Sequence, residues 1–304
     1  MPLALVKIPL EPYHLDKRGA PDIAINYHHL TLDFDANFDG GINGCIARLA
    51  LNCPAQGNLI NPALAAELRD ACQVIRESET VRVVVVSGAG NAFSVGRDSP
   101  PQEPDGEFGE KVGGSLLNDR SAWIKQLQVA NSIATLPMPV IMSINGDALG
   151  HGLELALAGD LRICSENSRF GLNSGSQEQS PAGFPWDGGT QRLPRLVGPA
   201  WAADLILTGR NVDAAEALAI GLVNRVVPAG DLVAETQRMA DSIAAGGPVA
   251  ARYAKEAVIK GMDLSLDDGL RLEADLNVIL QSTQDRPEGL RSFTEKRTPK
   301  YSGE

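Results

Sequence analysis

The chain has 304 residues, 43% of them hydrophobic and 21% charged, a globular balance with enough length to bury a core without disulfides or a structural metal. Its formal net charge of −11 argues against the cationic surface that nucleic acid or an anionic membrane requires, so an anionic ligand needs a local cationic site. The four cysteines, Cys45, Cys53, Cys72 and Cys164, form no C-x-x-C pair, which leaves metal and redox motifs unsupported and predicts buried, reduced thiols.

Residues 1–24 form an extension in which Pro2, Pro9, Pro12 and Pro21 break any long helix. It carries no basic leader ahead of an apolar core, and no apolar run has the length of a membrane span, so the expected location is cytoplasmic. Leu30, Leu32 and Phe34 alternate with polar residues as in a half-buried strand. After the turn Asp39-Gly40-Gly41, residues 45–52 supply a second apolar strand, and together they predict a hairpin. A helix is predicted over 62–77, with Leu64, Leu68, Cys72 and Ile75 on one face and Pro62 in its first turn. The β-branched run VRVVVVSG at 81–88 fits a strand covered on both faces.

A polar stretch rich in proline and glycine follows at 97–115, then a helical pattern over 116–135 and a buried strand at 139–145. Short buried strands alternating with helices imply crossover units, so the class is α/β. From Asp213 the chain turns helical. Asp213 is the N-cap of a helix ending at Ile220 with Gly221 behind it, and amphipathic helices follow over 231–245, 248–261 and 266–281. Three segments are expected: an extension at 1–24, an α/β core at 25–212 and a helical region at 213–304.

Four stretches carry a resemblance: GAGNAFSVGRD at 88–98; MPVIMSINGDALGHGLELALAGDLRICSENSRFGL at 138–172; WDGGTQRLPRLVG at 186–198 with LTGRNVDAAEALAIGLVNRVV at 207–227; and FTEKRTPKYSG at 293–303. Their order and spacing resemble the enoyl-CoA hydratase/isomerase (crotonase) superfamily over roughly residues 27–303. The resemblance implies a spiral of ββα units with a C-terminal helical region that builds a homotrimer or a dimer of trimers. It also implies an acyl-CoA substrate, with coenzyme A as its carrier and no permanently bound cofactor, and an enolate-like intermediate held by two backbone N–H groups.

Mapped onto this chain, those two oxyanion donors are the amides of Arg97 and His151. The second lies in the turn Leu149-Gly150-His151-Gly152, where a strand runs into a helix; helix N-termini present unpaired N–H groups to an anion. Glycine is usual in the superfamily at 151, so the imidazole is a departure, open to an acid–base role or to plain packing beside Trp186. Glu154 matches one of two hydratase glutamates, and the other position holds Ser174. Hydration needs one group to activate water and another to deliver a proton. The lengthened loop 174–189 offers Glu178 and Asp187, and several branches place a catalytic aspartate where Asp187 stands. As an ordinary residue Asp187 would cap the helix starting near Thr190.

For CoA phosphates the resemblance points to Lys296 and Arg297, reaching from a neighbouring subunit; the places after the first strand and after Arg97 carry no lysine or arginine. Phe184, Trp186 and the stretch 99–120 are expected to shape the acyl pocket. The expected reaction is hydration or double-bond isomerisation, with Glu154 and Asp187 moving protons. The missing second glutamate and the thin basic lining keep a C–C or thioester hydrolase as the alternative, and a silent scaffold as a further one.

Overall fold

The run VRVVVVSG is buried because both of its faces are covered. In the computed structural model, which describes residues 26–35, 44–97, 122, 124–173 and 184–304, it forms β3 (Val81–Gly88). Val81, Val84 and Val86 point into the main core with Leu64, Leu68, Cys72 and Ile75 of α1 (Pro62–Glu77). Val83 and Val85 on the opposite face meet Leu232, Met239, Ala240 and Ala244 of α7 (Leu232–Ala244). Each such valine contributes about 1.5–3 kcal/mol of apolar burial. The extension 1–24, the turn at 39–41, the stretch 98–121 and the loop 174–183, with Ser174 and Glu178, lie outside the described residues.

β1 (Leu30–Asp35) and β2 (Cys45–Leu51) pair antiparallel from Leu30↔Leu51 to Asp35↔Ile46, as a hairpin requires. The other strands are β4 (Ala92–Ser94), β5 (Val140–Ile144), β6 (Asp147–Leu149), β7 (Leu161–Ser165), β8 (Arg169–Gly171), β9 (Val212–Asp213) and β10 (Arg225–Val227). They form two sheets among the described residues, ordered β1-β2-β3-β5-β7-β10 and β4-β6-β8-β9. Consecutive pairs divide between the sheets: β3 and β4, β5 and β6, β7 and β8. Each turn of the chain adds one strand to each sheet, which is the expected spiral. The corner between β5 and β6 is glycine for a steric reason: a Cβ on Gly146 would collide with the carbonyl oxygen of Asn91.

The remaining helices are α2 (Ala130–Ala134), α3 (His151–Ala156), α4 (Gly189–Val197), α5 (Pro199–Thr208), α6 (Ala214–Ala219), α8 (Pro248–Gly261), α9 (Leu266–Leu280) and α10 (Asp285–Glu295). The caps act locally: Asn61 accepts from the Leu64 amide of α1 and Asp213 from the Glu216 amide of α6, both at 2.8 Å. The helix expected over 116–135 is interrupted, since residues 124–127 are helical, Gln128 and Val129 are not, and α2 begins at Ala130.

Past Asp213 the chain returns to the six-stranded sheet. β10 pairs in parallel with β7 from Arg225↔Ile163 to Val227↔Ser165, and α7 covers the six-stranded sheet. The helices that stand beyond the core are α8, α9 and α10. They are anchored by Lys255 Nζ on Asp160 at 2.7 Å and by Arg82 Nη2 donating to the Tyr301 carbonyl at 2.6 Å.

Candidate active site

The site forms where β6 runs into α3. Gly150 turns the chain with φ 52°, and its amide donates to the Gly171 carbonyl at 2.8 Å. His151 then stands at the first helical position, where a backbone N–H has no partner within the helix. Gly152 lies so close to the end of β4 that a Cβ there would collide with the Ser94 carbonyl. That approach sets the segment after β4, Val95-Gly96-Arg97, beside the start of α3. Arg97 pairs with Ile60 across a parallel bridge, whose Ile60 amide donates to the Gly96 carbonyl at 2.9 Å. Its guanidinium lies 5.3 Å from the centroid of Trp186, within cation–π range. Trp186 lies in turn 4.8 Å from the imidazole of His151, centroid to centroid.

Glu154, one turn into α3, is 3% exposed. Its Oε1 accepts from the Asp187 amide at 2.8 Å and from the Gly189 amide at 2.9 Å. Burial pushes its carboxyl above the usual range; the Gly189 amide, the nearby His151 and the Asp187 amide work in the other direction. A carboxyl so placed holds a proton that an exposed glutamate would give up. A Cβ on Gly189 would crowd Pro185 at 2.9 Å and the Glu154 carboxyl at 3.0 Å, so glycine leaves room for this contact.

Asp187 is the junction of the site. Its Oδ2 accepts from the Val129 amide at 2.8 Å, the Ala130 amide at 2.9 Å and His151 Nε2 at 2.8 Å. The expected cap of the following helix is therefore replaced by a cap of α2, and Gly188 precedes α4 instead. Capture of the Val129 and Ala130 amides coincides with the break in the helix expected over 116–135. The same junction is tied down by Arg192, which donates to the Asp187 carbonyl at 2.8 Å and to Asn131 Oδ1 at 2.5 Å. Gln128 Nε2 adds a bond to the Trp186 carbonyl at 3.1 Å.

Arg97, His151, Glu154 and Asp187 are thus brought together from three segments: the stretch after β4, α3 and the approach to α4. Lys296 and Arg297 are elsewhere: Arg297 pairs with Glu288 at 2.6 Å and Glu295 at 2.5 Å in its own chain, and Lys296 is an exposed left-handed residue ending α10. Of the residues expected in the acyl pocket, Trp186 lies against His151 while Phe184 is 81% exposed. Sequence reasoning missed Gln128, Val129, Ala130, Asn131 and Arg192, whose roles depend on contacts with no local signature. Among the described residues no cluster of three or more His, Cys, Asp or Glu is placed to hold a metal, and no helix is long and apolar enough to cross a membrane.

A family model described as enoyl-CoA hydratase/isomerase matches residues 41–304. YngF of Bacillus subtilis (strain 168), named for that same hydratase/isomerase family, is 39% identical over 262 residues, which is 86% of this chain and 96% of the relative. Crotonyl-CoA hydratase of Syntrophomonas wolfei is 35% identical over 258 residues, 84% of this chain and 94% of that protein. The crystal structure of enoyl-CoA hydratase from Bacillus anthracis superposes with a TM-score of 0.79 at 38% identity, covering 91% of this chain and 100% of that one.

Proposed function

The chain belongs to the enoyl-CoA hydratase/isomerase family and is an acyl-CoA-processing enzyme of it; on that premise we propose that it hydrates an α,β-unsaturated acyl-CoA thioester, with Glu154 exchanging the proton at the α carbon. The observation that carries this reading is the Glu154 carboxyl: buried at 3%, pinned through Oε1 by two backbone amides, and one turn from the free end of α3. The amides of Arg97 and His151 would hold the thioester oxygen as negative charge develops on it, the arrangement that contributes most when donors are fixed beforehand. Burial keeps the Glu154 carboxyl protonated to higher pH, which suits delivery of a proton to an enolate carbon. Double-bond migration passes through the same enolate and needs no attacking water. The His151–Asp187 contact favours thioester hydrolysis as the second reading, because an imidazole backed by a carboxylate can activate water.

Lys296 remains the candidate for CoA phosphates from a neighbouring subunit, whereas the Arg297 pairs support a role in fixing the C-terminal segment. A trimer, or a dimer of trimers, would cover the apolar side chains that α8, α9 and α10 expose. The test incubates the enzyme with linear, cyclic and aromatic enoyl-CoA thioesters in water enriched in heavy oxygen and follows the products by mass spectrometry. Heavy oxygen in a CoA product establishes hydration, a conversion without mass change establishes isomerisation, and free CoA moves the assignment to hydrolysis. Glu154→Gln is expected to lower kcat by about 10²- to 10⁴-fold; an unchanged kcat would remove Glu154 from the chemistry.

A further inference from the structure

Hydration moves two protons: one leaves the attacking water and one arrives at the α carbon. Glu154 accounts for the second. Asp187 Oδ2 is badly disposed to take the first, because it already accepts from the amides of Val129 and Ala130 and from His151 Nε2. Among the described residues His151 is the other candidate. With Nε2 turned to a carboxylate, that nitrogen is the donor and the lone pair of the neutral ring lies on Nδ1. Among the described residues Nδ1 is buried without a hydrogen-bond partner, in a residue 2% exposed. Leaving a buried acceptor without a donor costs about 1–3 kcal/mol, so this nitrogen is completed when a donor arrives. The backbone N–H of the same residue is a proposed thioester-oxygen donor, so a substrate bound there brings its reacting carbons beside this ring.

We propose that His151 is a catalytic base of the site, with Asp187 as its orienting partner, and that the pair does the work of a second carboxylate. The inference rests on the hydration reading above. A water donates an O–H to His151 Nδ1. As its oxygen bonds to the β carbon, the π pair of the double bond moves into the thioester and forms the enolate. The water proton is then on Nδ1, and the imidazolium is stabilised by Asp187. The enolate takes the Glu154 proton at the α carbon, and the Nδ1 proton returns to Glu154 through solvent, so the net change is addition of one water. Among the described residues the charged groups around the ring are Asp187 before α4, Arg192 on α4, Glu154 on α3, Arg97 after β4, and Arg69 on α1, whose charge is felt by Asp187.

The test uses an enoyl-CoA that the wild-type enzyme hydrates, with His151→Gln and His151→Gly as variants. Both keep the backbone amide, and glutamine keeps an N–H for Asp187 but cannot carry a proton. His151→Gln is expected to lower kcat about 10²-fold, the size of one acid–base group, with KM nearly unchanged and the acidic limb of the pH–kcat profile lost. Added imidazole is expected to restore His151→Gly by about tenfold in proportion to its neutral form, as a mobile base of the same kind should. An unchanged kcat in His151→Gln overturns the proposal. So does a loss that leaves the acidic limb in place and is not restored by imidazole, which would make His151 a positioning residue only. Should His151→Gly fail to fold, the pH profile of His151→Gln decides alone. If the wild-type enzyme hydrates no thioester, the hydration reading falls first and this proposal falls with it.

Discussion

The spiral core and the C-terminal helices treat apolar side chains in opposite ways. Around β3 the valines are buried on both sides of the sheet, whereas α8, α9 and α10 leave Val258, Met262, Leu266, Val278 and Phe293 exposed. The core completes itself from its own residues. The outer helices are joined to it by a few polar contacts, such as Lys255 on Asp160, and leave apolar side chains exposed. Activity and assembly should therefore respond to different substitutions, since Arg97, His151, Glu154 and Asp187 all belong to the core.

The largest expected effect is at Glu154. Beyond its effect on kcat, Glu154→Gln should melt about 2 °C higher at neutral pH, the size of a sub-kcal/mol to 1 kcal/mol gain in a chain of this class. The sign follows from the raised folded-state pKa. As pH rises past about 4.3 the unfolded chain ionises first, and stability falls until the buried carboxyl ionises too. Glutamine accepts the same two amides without that loss, and a lower melting point in calorimetry would contradict the account. Gly152→Ala comes next: the new methyl meets the Ser94 carbonyl, and overpacking of this kind should destabilise by about 3 kcal/mol in denaturant titration.

Val258→Glu with Val278→Glu tests the other half of the comparison. Both residues are exposed, so the secondary structure should be unchanged by circular dichroism while the proposed trimer falls to a monomer by light scattering; an unchanged mass would count against that trimer. Gly261→Ala, where a Cβ meets nothing within 4 Å, should stabilise by about 0.5–1 kcal/mol by restricting the unfolded chain. The smallest effect is at the end of the chain. The Arg297 guanidinium holds the Glu288 carboxyl down to about 2. Its contribution is full above about 4.3 and lost as pH falls toward 2. Amide exchange over residues 297–304 should rise in that window, ahead of exchange in β3.

Elements governed by local chemistry were legible in the sequence. The valine run, the Pro62 and Asp213 helix starts, the Gly221 stop and the three helices after 231 all lie where periodicity and capping put them. The superfamily likeness placed Glu154 on the helix after the glycine turn. What was not legible depends on residues far apart in sequence. Asp187 reads as the cap of the helix that follows it, yet it caps α2, 58 residues away by its Val129 contact. Nothing near Val129 announces that two amides will be drawn out of a helical run. Likewise the spacing of 36 between His151 and Asp187 carries no period that would pair them. The return of the chain to the sheet after Asp213 was hidden for a related reason: β10 is three residues long and its pairing with β7 is seen only in the assembled sheet.

Trp186, one of three tryptophans in the chain, lies with Arg97 near its ring and the His151 imidazole 4.8 Å away. An excited indole gives up electron density readily to a neighbouring cation. Formation of the imidazolium beside it would therefore dim Trp186 emission, while Trp123 and Trp201 supply a background that substitution can remove. The fold thus carries an optical reporter in contact with the proposed base, one that follows a proton during turnover without any added label.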